Sequence, residues 1–82
     1  HSVHGLFLAT VATPALTAEL RDSVNPEDPS DGFGTTTLGD ITVCRYLGSS
    51  AARARRCLAA AWAVTRRHLL DKPACAPRIW TT

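Results

Sequence analysis

Apolar and polar positions divide the chain into five stretches and a tail. Over residues 3–11 apolar side chains occupy both alternating faces, with Val3, Phe7, Ala9 and Val11 on one and Leu6 and Leu8 on the other. That pattern predicts a strand covered on both sides. Thr13-Pro14 reads as an N-cap followed by proline in the first helical turn, opening a short helix over 14–24 with a stripe of Leu16, Leu20 and Val24. Asn25-Pro26 ends it, because the residue before proline is pushed out of the helical region. Residues 25–32 are a polar loop whose acidic and Asn side chains are expected in water.

A β-hairpin is predicted over 33–47, with Gly39-Asp40 as the two-residue turn. On its second strand Ile41, Val43, Arg45 and Leu47 share one face, and Thr42, Cys44 and Tyr46 the other. Arg45 thus sits in an apolar row. Either it snorkels to solvent from an edge strand, or it pairs with a carboxylate or backbone carbonyls inside the fold or at a partner interface. Ser49-Ser50 then caps the longest predicted helix, 51–70, which is rich in alanine and leucine. Its buried stripe is Ala54, Leu58, Ala61, Thr65 and Leu69, with Trp62 at the edge; Arg53, Arg56 and Arg67 project elsewhere, flanked by Arg55 and Arg66. Asp71-Lys72-Pro73 closes the helix. In the tail, Ile79 and Trp80 are expected to dock beside the long helix, and Arg78 to meet an acidic group. The elements make an α+β fold of one strand, a short helix, a hairpin, a long helix and a docked tail.

Composition narrows the classes. With 82 residues, 45% hydrophobic and 20% charged, the chain is one small folded unit and not a disordered tail. The absence of methionine and the opening His1 are those of a processed product or a piece of something longer. Charge is uneven: Arg21 faces six carboxylates in residues 1–40, while eight Lys and Arg face Asp71 alone in residues 41–82. Such asymmetry marks either a basic surface for an acidic partner or an acidic loop and a basic helix that offset each other. Cys44, Cys57 and Cys75 are odd in number and contain no C-x-x-C pair, so neither a disulfide framework nor a zinc ribbon fits. They read as buried hydrophobes in a reducing, cytoplasmic setting. The longest apolar run, 57–64, is far short of the ~20 residues of a membrane span, and no secretory leader opens the chain.

Catalytic signals are lacking. No nucleophile elbow, Cys/His signature or Walker pattern occurs, and Gly32-Phe33-Gly34 has Thr37 where a dinucleotide fingerprint needs its third glycine. The loop carboxylates lack EF-hand spacing. His1 and His4 could form an amino-terminal copper site, but alternate strand positions separate them. Five arginines on one helix leave a nucleic-acid-binding module as the alternative, although no stacking aromatics interleave them.

Cys44-Arg45-Tyr46-Leu47-Gly48, the long Ala/Arg helix with Ala61-Trp62, and the closing Pro73-Ala74-Cys75-Ala76-Pro77-Arg78-Ile79-Trp80-Thr81-Thr82 resemble the C-terminal end of urease accessory protein D, called urease accessory protein H in some bacteria. Val3-His4-Gly5-Leu6-Phe7 resembles the family strand that precedes a proline-containing helix. Two departures are Arg66-Arg67-His68-Leu69-Leu70, where the family more often has arginine then proline, and Cys75, where it has an aliphatic residue. The resemblance implies that residues 1–82 are a single C-terminal segment of a β-rich scaffold whose long N-terminal part is absent here. It also implies a non-enzymatic, cytoplasmic chaperone that joins other urease accessory proteins, one a GTPase, on apo-urease and assists nickel insertion. Nickel is then cargo in transit, with His4, Cys44 and Cys75 conceivable along its path and no cofactor held stably. Nucleic acid and membrane are not among the implied partners. Arg45, Arg78 and Trp80 are the partner or structural candidates.

Overall fold

The computed structural model describes residues 2–69 and 76–82. The elements run β1 (Val3–Ala9), α1 (Pro14–Ser23), β2 (Gly32–Leu38), β3 (Ile41–Gly48), α2 (Ala51–Leu69) and β4 (Arg78–Thr81). They form the expected α+β arrangement: one antiparallel sheet in the order β2-β3-β1-β4, with both helices on the same side. Closure of the long helix at Asp71-Lys72-Pro73 falls outside the described residues.

Local chemistry accounts for the boundaries. Thr13 caps α1, its side-chain oxygen accepting from the Leu16 N–H at 3.1 Å, and Pro14 occupies the first turn. Ser50 does the same for α2, accepting from the Arg53 N–H at 3.2 Å. The hairpin turns at Gly39, whose φ of +61° lies in the left-handed region that a side chain disfavours.

The predicted stripe of α2 is buried as read, joined by Cys57 and Val64, and meets Leu16, Leu20 and Val24. Beneath the helices lie Val3, Phe7 and Ala9 of β1 and Cys44 and Tyr46 of β3. Phe7 and Trp62 place their ring centroids 5.4 Å apart in a tilted contact. Gly5 lets α2 approach: a Cβ there would stand 2.7 Å from the Leu58 Cδ1.

Three expectations need correction. Strand β1 is covered on one side only, because both helices share that side and Leu6 and Leu8 remain half-exposed opposite them. Strand β3 is central rather than an edge, paired with β2 on one flank and β1 on the other. The tail is an edge strand along β1, with Leu6 opposite Arg78 and Val3 opposite Thr81. Strand alternation then sends Ile79 toward the helices and Trp80 to the far side, so only Ile79 packs on the core.

Candidate functional site

In the loop between α1 and β2, Asn25 and Glu27 are exposed as expected, but Asp31 is not left in water. Asp31 is buried, its side chain 1% exposed, and it accepts from the Tyr46 hydroxyl and from the Arg53 Nε at 2.8 Å. Arg53 also reaches Asp28 at 3.6 Å and donates to the Ser49 hydroxyl at 2.9 Å. The Arg53 guanidinium, aided by the Tyr46 hydroxyl, holds the Asp31 carboxyl below its usual range. Burial and the same carboxylate push the Tyr46 phenol up. Arg56 grips Glu27 through two nitrogens at 2.6 and 2.9 Å, and Glu19 takes Arg67 and His68. Arg66 lies 5.9 Å from the centroid of the Trp62 ring. The two oppositely charged halves therefore offset each other within the chain. Of the five helix arginines, Arg53, Arg56 and Arg67 are held by carboxylates, so the stripe is not the unpaired basic footprint that duplex binding calls for.

The other side of the sheet is uncovered. In its central row Arg45 and Arg78 flank Leu6, one strand away on either side, with Gly34 beyond Arg45. In the next row Leu47 and Trp80 flank His4, with Gly32 beyond Leu47. Leu47 is 52% exposed and Trp80 44%; the Trp80 ring stacks on His4 at 5.5 Å and 7°. A shallow groove of about 430 Å³ runs over Leu6, Gly32, Gly34, Arg45, Leu47 and Trp80. All three sequence candidates thus meet on one face, because Arg45 and Leu47, like Arg78 and Trp80, are two residues apart on a strand. Arg45 is not buried with a carboxylate: it is exposed and donates at 3.4 Å to the Thr36 hydroxyl. Arg78 is exposed and, among the described residues, forms no ion pair. Among the described residues neither arginine meets a carboxylate, because every carboxylate in an ion pair there is bonded to α2.

Cys44 and Cys57 are buried free thiols, pushed by burial to about 12 and about 11 respectively. Cys44 points to the helix side and His4 to the open side, so these two cannot share a metal; Cys75 and His1 lie outside the described residues. Among the described residues, no group of three His, Cys, Asp or Glu could hold a metal ion. No described helix is long and apolar enough to cross a membrane.

The model of the family described as UreD urease accessory protein matches residues 1–81. The chain belongs to this family. Among curated relatives, the urease accessory protein UreD of Alcanivorax borkumensis is 30% identical over 98% of this chain and 27% of its own length. A UreD of Pseudomonas putida is 37% identical over all of this chain and 29% of its own, and UreD 2 of Brucella anthropi is 46% identical over 61% and 18%. The chain therefore spans under a third of the length of these UreD proteins. No solved structure matches it.

Geometry explains the stretch that carried the UreD resemblance. Within Arg45-Tyr46-Leu47-Gly48, Arg45 and Leu47 face outward while Tyr46 points in and binds Asp31. Gly48 leaves the space that pair occupies: a Cβ there would fall on the Tyr46 hydroxyl and the Asp31 carboxylate. Sequence reasoning missed Asp31, the anchor of this cluster, and, although it considered His4 as a metal ligand, missed its stack on Trp80. A signal for His4 existed in the i, i+2 alternation of β1; none marked Asp31 among the other loop acids.

Proposed function

We propose that the chain is part of a urease maturation scaffold that acts by protein–protein contact rather than by catalysis. The match to the UreD family over residues 1–81 carries this reading. The relatives' name, urease accessory protein, supports urease as the target, and a scaffold is consistent with an open apolar face beside a well-packed core. In this reading the whole protein assembles in the cytoplasm with other accessory proteins, including a GTPase, on apo-urease, and assists nickel insertion. In this reading nickel is cargo in transit.

The test is complementation. A urease-positive host lacking its own family gene is given a family-length gene that carries residues 1–82, and urease activity and nickel per urease are measured. Both are expected to return together. Soluble, folded protein that restores neither overturns the reading.

A further inference from the structure

The open side of the sheet is unlike an ordinary solvated face. It carries Leu6, Leu8, Leu38, Leu47 and Trp80, with Leu38 at 65%, Leu47 at 52% and Trp80 at 44% exposure. The sheet's other side is closed by two helices. Gly32 and Gly34 at its β2 edge leave it flat: a Cβ at Gly34 would meet nothing within 4 Å. Large apolar side chains exposed together on one sheet face, around a row of two arginines, mark a surface that is covered in the working molecule.

The charges specify the cover. Every ion pair among the described residues draws its carboxylate from Glu19, Glu27, Asp28 or Asp31 and its cation from α2. None reaches Arg45 or Arg78. These two stand on either side of Leu6 in one cross-strand row, two inter-strand spacings apart, which is roughly 9–10 Å. Any layer that covers Leu6 removes water from both guanidiniums. A desolvated arginine is tolerated only with a paired acceptor, and two cations without a carboxylate of their own favour a covering layer that brings carboxylates to them. Length indicates where that layer comes from. Relatives matched over the whole of this segment are more than three times as long, 27–29% of each being aligned.

We propose that the open face is an intramolecular seam: a portion of the family-length polypeptide outside these 82 residues packs on it as an apolar layer. That layer presents carboxylates to Arg45 and Arg78 and an apolar residue between them to Leu6. The Trp80–His4 stack forms one wall of the seam and Leu47 its floor. The proposal rests on the geometry of the face and the length of the relatives, independently of any role in urease maturation.

The experiment places the photoreactive residue p-benzoylphenylalanine at position 47 of a family-length protein containing this segment, irradiates it, and maps adducts by mass spectrometry. The expected result is an intrachain adduct to a peptide outside residues 1–82 that carries Asp or Glu. Arg45→Glu should then lower the melting temperature of that protein, and changing the mapped carboxylate to Lys should restore it. Adducts confined to residues 1–82, adducts to a second polypeptide, or none would each overturn the seam. Should the bulky probe at 47 prevent folding, the same probe at position 34, where space is open, gives the same readout. Urease activity enters none of these measurements, so the maturation reading can fail while the seam stands, and the reverse.

Discussion

On the helix side of the sheet Phe7 and Cys44 lie opposite each other and are fully enclosed; one position along the same two strands, Leu6 and Arg45 lie opposite each other on the open side. The backbone is shared and the hydrogen-bonded ladder is the same. What differs is the third layer. Helix α2 brings Leu58, Ala61 and Thr65 down on one side, and the small residues Gly5 and Ala54 allow a close approach. The charges differ as well: every ion pair among the described residues joins a loop or α1 carboxylate to α2, and none reaches Arg45 or Arg78 on the open side.

The contrast can be broken most directly at two leucines. Leu58→Ala empties a fully buried position and should lower unfolding free energy by about 2–5 kcal/mol. Leu47→Ala, on the open side, should change it by less than about 1 kcal/mol in this chain. Chemical denaturation of both variants settles the matter, and equal losses would erase the distinction between the faces.

Glycines give a smaller test with opposite signs. Gly48→Ala drives a methyl group into the Tyr46–Asp31 pair and should cost about 1–3 kcal/mol. Gly34→Ala enters open space and should be neutral or stabilising by up to about 1 kcal/mol. Parallel melting curves would show whether the clasp is as tight as drawn.

Tyr46→Phe removes one donor to Asp31, leaving Arg53 and the Ser49 backbone N–H, and should cost about 1 kcal/mol. A pH series sharpens the result. Because Asp31 is held below its usual range in the fold, its stabilising contribution is present above that range and is lost as pH falls through it. Asp31→Asn should therefore flatten the acid limb of a stability–pH curve. The thiols act in the opposite sense: raised in the fold, they contribute below their ordinary range and lose that contribution as pH climbs past it. An acid limb unchanged by Asp31→Asn would place the carboxylate outside the network.

The smallest effect is expected at Arg56 and Glu27, both more than half exposed. Arg56→Gln should shift the melting curve little, and less still in high salt. A large loss there would mean that the loop is anchored from its rim rather than through Asp31.

Much of this was legible in advance. Proline, serine and glycine punctuation marked both helices and the hairpin, and the 3.6-residue stripe of α2 named its buried residues. Part of the family resemblance lay in Arg45-Tyr46-Leu47-Gly48, whose alternation and glycine the fold now explains. Sheet order was harder, since nothing local in Arg78-Ile79-Trp80-Thr81 says that it pairs with β1 rather than packing on a helix. With order unknown, the row of Ile41, Val43, Arg45 and Leu47 could not be assigned to the covered or the open side, and neither could Arg78. Asp31 escaped notice because its burial depends on Tyr46 and Arg53, 15 and 22 residues away in sequence.

Strand β4 has one more consequence, which concerns the order of assembly. The β2–β3 hairpin closes over two residues, whereas Leu6 and Arg78 join ends separated by roughly 70. Ser2 and Thr82 complete the edge with reciprocal backbone hydrogen bonds of 3.1 and 2.9 Å. By loop-closure entropy alone the long closure is about 2–3 kcal/mol more demanding than the short one. The hairpin and the helices that cover it are thus free to form before β4 arrives, and β4 is the first element to leave under stress. Amide protons of β4 should exchange faster than those of β3, so the edge that bears Arg78 and Trp80 opens and closes while the rest of the sheet stays shut.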